Sequence, residues 1–311
     1  MKLEILALLP GDPVVPRSPD YDATALRDFT AVTIPATPPW IAGPALRRHR
    51  LKSASRRQRW LEQLMTSATV LPFAPGHTLE RDEIERMIIA NSEMLGDLVT
   101  RLGGKVQYQV TVSWSENEVL HRFRSAPEIA PLFDAGAVSG GAVAGAVSRL
   151  ASRLSQVMAA RLDAVAVDCT ELPLEQGALL NAVLLIQDGR EAALDAVLEE
   201  IDGIWPEGLR IRQIGPGPAV SFATLRLVRQ RPSDVTRALT CLGLKSLEGA
   251  EEIGAARNRL LRDPASDANE IRTAARIATA AARLGRTDRA FHLIDLWSEG
   301  RSVQSGLEQV A

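Results

Sequence analysis

Cysteine is nearly absent from this chain: Cys169 and Cys241 are the only two. Their separation fits neither a metal knuckle nor a redox pair, and no disulfide is supported, so a reducing cytosol is the expected setting. Histidine is scarce as well. His49, His77, His121 and His292 stand apart, none at ligand spacing to a cysteine or carboxylate, and no metal site is expected. Long apolar runs are missing: no stretch of about 18 residues is free of charge, which argues against a membrane span. The opening MKLEILALLPGD stops at Pro10–Gly11. That is too short for a secretory leader and reads as a first strand. Net charge is close to neutral at −2 over 311 residues, so no global attraction to nucleic acid or membrane follows. There is no Gly-x-Ser-x-Gly elbow, no Gly-x4-Gly-Lys phosphate loop and no paired-carboxylate context. Gly215-Pro216-Gly217-Pro218 is followed by a strand pattern rather than a helix, which excludes a dinucleotide loop. Neither an enzyme nor a cofactor is expected.

What is present is a two-domain globular chain, 46% hydrophobic and 24% charged. Leu3 to Leu9 and Phe29 to Ile34 read as strands separated by a proline-rich loop. Residues 44–66 read as a basic helix, and Ala68 to Leu71 as a short strand. Thr78 is the expected N-cap of one amphipathic helix carrying Ile84, Met87, Ile88, Leu95, Leu98 and Leu102, with a polar break at Asn91. Val106, Tyr108, Val110 and Val112 alternate with polar residues, as in a half-buried strand. A glycine- and alanine-rich stretch at 135–148 leads into a helix to about residue 162. Ala164 onward and Ala182 to Ile186 are strands, and Leu194, Val197, Leu198 and Ile201 make a helical stripe. Leu209 and Ile211 mark another strand. The two prolines at 216 and 218 predict that pairing stops there, before a last strand from Val220 to Val228. Beyond Pro232 the pattern predicts helices only, the last at 288–298.

Two segments carry a resemblance. The first is Val70-Leu71-Pro72-Phe73-Ala74-Pro75-Gly76-His77-Thr78, before an acidic-start helix and GKVQYQVTVSW. The second is 181–228, with its strand, helix, GLRIRQIGPGP and VSF. In that order they resemble the GvpF/GvpL family of gas vesicle proteins, over roughly residues 65–230. The resemblance singles out Leu71, Pro72, Phe73, Gly76, Gly215, Pro216 and Phe222 as structural motif residues. It implies an α+β fold of two modified ferredoxin-like domains joined by a helical segment, with a helical C-terminal extension. The expected division is 1–117, 118–230 and 231–311. The function implied is that of a minor gas vesicle component or assembly factor. Such a protein binds the hydrophobic major shell protein through its N-terminal domain, limits its aggregation and assists vesicle nucleation beside other accessory proteins. The implied location is the gas vesicle, and the cytoplasm before assembly. The alternative is a two-domain small-molecule sensor or regulator that uses the sheets as ligand platforms.

The densest charge run is Arg47, Arg48, Arg50, Lys52, Arg56, Arg57 and Arg59. It reads first as a solvated helix face and, more sharply, as a docking surface for an acidic partner. Nucleic acid is disfavoured, because Trp60 alone offers little stacking. Gly141 and Gly145 read as part of a linker entering a helix, or as a close-packing face for a partner helix. An exposed edge strand in the first sheet would offer unpaired backbone groups to a client strand.

Overall fold

The structure, a computed structural model, describes residues 2–35, 44–115, 118–134, 138–247, 249–285 and 288–297. The chain divides into two compact units, one of residues 1–103 with 223–297, the other centred on 104–222. This differs from the expected division: the chain leaves unit one, builds unit two, and returns.

Unit one opens with β1 (Leu3–Pro10), β2 (Asp22–Leu26) and β3 (Phe29–Pro35). Ile5 to Leu9 are fully buried, so β1 is a central strand covered on both faces. It pairs antiparallel with β3, and β2 pairs with β3 through a two-residue turn at Arg27–Asp28. After helix α1 (Pro44–Met65), the short strands β4 (Leu71–Pro72) and β5 (Thr78–Leu79) pair with the other edge of β1. Thr78 is therefore a strand residue and not a helix cap. The helix starts later, as α2 (Arg81–Ala90), where the Glu83 carboxylate accepts the Glu80 N–H at 2.9 Å. At Asn91 it breaks, and α3 (Ser92–Leu102) follows.

Unit two begins with β6 (Lys105–Trp114), which the sequence pattern places in the first domain. Two short helices follow, α4 (Val119–Arg122) and α5 (Ala130–Asp134), then the long α6 (Gly140–Asp163), β7 (Asp168–Glu171), β8 (Ala178–Gln187), α7 (Glu191–Asp202) and β9 (Leu209–Gly217). The sheet order is β7-β8-β6-β9, and neighbouring strands run antiparallel. Val106, Tyr108, Val110 and Val112 are all buried, as their alternation predicts. On α6 the inward stripe is Ala146, Leu150, Leu154, Met158 and Leu162. Pairing does not stop before the prolines: a bulge between Gln107 and Gln109 lets β9 continue until Gly217 faces Gln107.

The expected last strand of this sheet belongs elsewhere. β10 (Thr224–Gln230) lies in unit one and pairs with β11 (Phe291–Trp297) over seven residues. Between them run α8 (Pro232–Leu242), α9 (Ala250–Leu260) and α10 (Ala268–Leu284). Asp267 caps α10 by accepting from the N–H groups of Asn269 and Glu270. The region after Pro232 is thus not an all-helical extension. Its last element is a strand, and its helices share a core with unit one: Val235, Leu242, Ile253, Ile271, Ile277 and Phe291 form one buried cluster with Ala90 of α2.

Asn91 explains the break between α2 and α3. It is 4% exposed. Its Nδ2 donates to the Met87 carbonyl at 2.7 Å and the His292 carbonyl at 3.0 Å, while its Oδ1 accepts the Ile294 N–H at 2.9 Å. One side chain thereby supplies the pairing that β11 lacks on the edge away from β10.

Candidate functional site

The first motif is a tie-point for four elements. Arg57, on α1, is 7% exposed. Its Nη1 donates to Glu4 Oε1 at 3.0 Å, and its Nη2 donates to the carbonyls of Phe73 at 2.6 Å, Ile5 at 3.3 Å and Leu6 at 3.4 Å. Glu4 also accepts the Gly76 N–H at 3.1 Å, and Gly76 holds φ at +88°, where a side chain is disfavoured. Burial pulls the Arg57 pKa down, and the Glu4 carboxylate opposes that shift. A buried charge persists because its donors are satisfied in several directions at once.

The remaining motif residues extend the same knot. Leu71 and Phe73 are buried, and Pro72 faces Ala7 across the ladder. The Phe73 N–H donates to Leu6, and the Ala74 N–H to Leu225 on β10. The His77 carbonyl accepts the Ile5 N–H at 3.0 Å, while its Nε2 accepts the Leu227 N–H at 3.4 Å. Burial pushes the His77 pKa below its ordinary value, the Arg226 and Arg57 charges add to that, and Glu4 opposes it. Turn 71–77 therefore binds β1, α1 and β10 together. The turn itself contains no aspartate, glutamate, lysine or arginine, and its one titratable side chain, His77, is engaged with β10.

The second motif is also architectural. Gly215 has φ +142°, and a Cβ there would lie 2.6 Å from Tyr108 Cδ1 and 2.7 Å from the Gln107 carbonyl oxygen. The Gly215–Pro216 peptide is cis. Phe222 is buried, and the neighbouring Ser221 N–H donates to Gln107 Oε1 at 2.9 Å. Burial, with Glu191, Asp195 and Asp188 nearby, pushes the Tyr108 phenol up to about 12. Burial and the carboxylates of Asp163 and Glu171 likewise push the Cys169 thiol up to about 11, which removes it as a nucleophile near neutral pH.

The basic run divides. Lys52, Arg56 and Arg59 are exposed, and the Arg56 guanidinium lies 5.9 Å from the ring centre of Trp60. Arg57 points inward and is lost to the expected docking face. Arg47, Arg48 and Arg50 lie on α1, but their side chains fall outside the described residues. The sequence could not reveal Arg57 as buried, because its partner Glu4 lies 53 positions away. Gly141 has open space around a hypothetical Cβ, so within this chain no neighbour requires a small residue there.

Among the strands that end their sheets are β2 in unit one, and β7 and β9 in unit two. On β2, Asp22, Ala23 and Ala25 are exposed. On β9, Arg210, Arg212 and the 52%-exposed Ile214 are exposed. Among the described residues no group of three histidine, cysteine or carboxylate side chains gathers, and no helix is long and apolar enough to cross a membrane.

The family model described as gas vesicle synthesis protein GvpL/GvpF matches residues 22–224, more than half of the chain, spanning the first motif and residues 181–224 of the second. The chain belongs to that family. Its fold is similar to the crystal structure of the gas vesicle protein GvpF from Anabaena sp. PCC7120, with TM-score 0.57 and 20% identity over 72% of this chain and 98% of that one. It is also similar to GvpF from Microcystis aeruginosa, with TM-score 0.54 and 19% identity over 72% and 99%. No curated protein matches.

Proposed function

We propose that this chain is a gas vesicle assembly factor that holds the hydrophobic major shell protein, limits its aggregation and assists vesicle nucleation. It works beside other accessory proteins, in the cytoplasm before assembly and at the vesicle afterwards. The family match carries this reading. Holding an apolar subunit needs surface and edge contacts and no covalent chemistry. Unit one supplies the holding surface in this proposal. β2 pairs on one side only, and its exposed Ala23 and Ala25 put no charge in the way of an incoming strand. We also assign unit two, with its β-α-β-β-α-β order, to the ferredoxin-like plan. Unit one is built in another order.

Co-expression with the major shell protein tests the function. The shell protein is expected to remain soluble and co-purify with this chain, and vesicle yield is expected to fall without it. Ala23→Lys combined with Ala25→Lys should weaken capture and leave the melting temperature unchanged. A shell protein that stays soluble, uncaptured and able to build vesicles in the absence of this chain would refute the reading.

A further inference from the structure

Unit one contains a pocket of about 390 Å³ whose polar lining is arginine: Arg27, Arg86, Arg283 and Arg289. Four separate pieces of chain bring them together. Arg27 sits in the β2–β3 turn at φ +56°, an uncommon backbone for a residue other than glycine. Arg86 lies on α2, Arg283 in the last turn of α10, and Arg289 in the lead into β11. Ile89, Leu284 and Phe291 supply apolar wall.

Three of these cations already meet a carboxylate. Arg27 binds Glu85 at 3.2 Å, Arg86 binds Asp82 at 3.3 Å, and Arg283 binds Glu93. None of those acids lines the pocket. A guanidinium has five N–H donors, and each of these pairs occupies only part of the fork. Arg289 has no ion pair among the described residues. The carbonyl end of α10 opposes an anion here, and Arg283 beside it offsets that field. With three of the four cations partly neutralised by acids outside the pocket, the concavity keeps a net positive charge that an anion would offset. The volume falls in the range of small-molecule sites, and planar forks match phosphate oxygens two at a time.

We propose that this pocket binds a small phosphorylated molecule of nucleotide size. Its phosphates contact the four arginines and its less polar body rests on Ile89 and Leu284. The proposal is independent of shell-protein capture and stands or falls separately.

Titration calorimetry on the full chain, with pyrophosphate and with ATP as probes, tests it. One-to-one binding is expected, with ATP at least as tight as pyrophosphate and both weakened by salt. Arg289→Ala should lower the affinity about tenfold. Arg289→Glu should abolish binding. Both variants should melt with the parent, because Arg289 is exposed. Three results overturn the proposal: no heat from either probe up to ~5 mM, unchanged affinity in Arg289→Ala, or an oligoglutamate peptide that binds and that neither phosphate displaces. The last result would reassign the pocket to an acidic protein partner.

Discussion

Replacing Arg57 with alanine should remove a large share of the stability of unit one. The Arg57 and Glu4 side chains are only 9% and 6% exposed. Truncation leaves a buried carboxylate with the Gly76 N–H as its remaining donor, and it takes the 2.6 Å donor from the Phe73 carbonyl. Breaking a buried pair from one side costs about 3–5 kcal/mol. An exposed pair is worth about 0.2–1 kcal/mol. For a unit of this size the larger figure corresponds to a fall in melting temperature of roughly 6–20 °C. The assay is urea unfolding followed by tryptophan fluorescence. Trp60 sits three positions along α1, buried and edge-on to Tyr21 with ring centres 6.3 Å apart, so it reports this region directly. Glu4→Gln and the double variant Glu4→Gln/Arg57→Ala complete the cycle. The double variant should fall short of the summed single losses by at least ~1 kcal/mol, because the second change no longer strands a charge. A loss below about 1 kcal/mol for Arg57→Ala, or additive singles, would refute the view of this pair as the anchor of the turn.

Asn91→Leu keeps the branched outline of the side chain but strands the Ile294 N–H and the His292 carbonyl, and should cost about 2–3 kcal/mol in chemical unfolding, with faster amide exchange along β11. Gly215→Ala should cost at least ~1–3 kcal/mol by thermal unfolding, because its Cβ meets Tyr108 and the Gln107 carbonyl and its φ is unfavourable. The pKa values of His77 and His292 are both pushed down, chiefly by burial. The unfolded chain therefore binds more protons, and stability present above about pH 6.5 is lost as pH falls through the lowered folded values. Urea midpoints measured from pH 7.5 to 5 should decline below about 6.5, less steeply in His77→Gln, which keeps an acceptor for the Leu227 N–H without a charge to gain.

Strands whose pattern is self-sufficient were legible. β1 carries a short apolar run, Ile5 to Leu9, and β6 alternates cleanly, so each announces its burial without reference to a partner. β11 does not. FHLIDLW places apolar side chains at 291, 293, 294, 296 and 297, which satisfies a helical stripe as well as a strand. What decides it is β10, more than sixty residues earlier, together with Asn91, two hundred residues earlier. Neither lies in any window over which periodicity is read. The same non-locality hid the domain boundary. β6 follows α3 after two glycines, and β10 follows the cis-proline turn closely, so chain proximity assigns each to the wrong unit, while the ladders assign them correctly.

The tied turn shows the same limit at the level of a single side chain. Within RRQRW, Arg56, Arg57 and Arg59 are chemically equal, and local pattern favours solvent for all three. Helical geometry turns one of them toward β1, and Glu4 waits there with its carboxylate already held by the Gly76 N–H. Burial then becomes affordable because one guanidinium serves four acceptors at once. A motif whose glycine, proline and aromatic residues are visible in sequence thus owes its rigidity to an arginine and a glutamate that are not. The pocket of four arginines follows the same rule: each is unremarkable on its own segment, and only the return of the chain into unit one makes them neighbours.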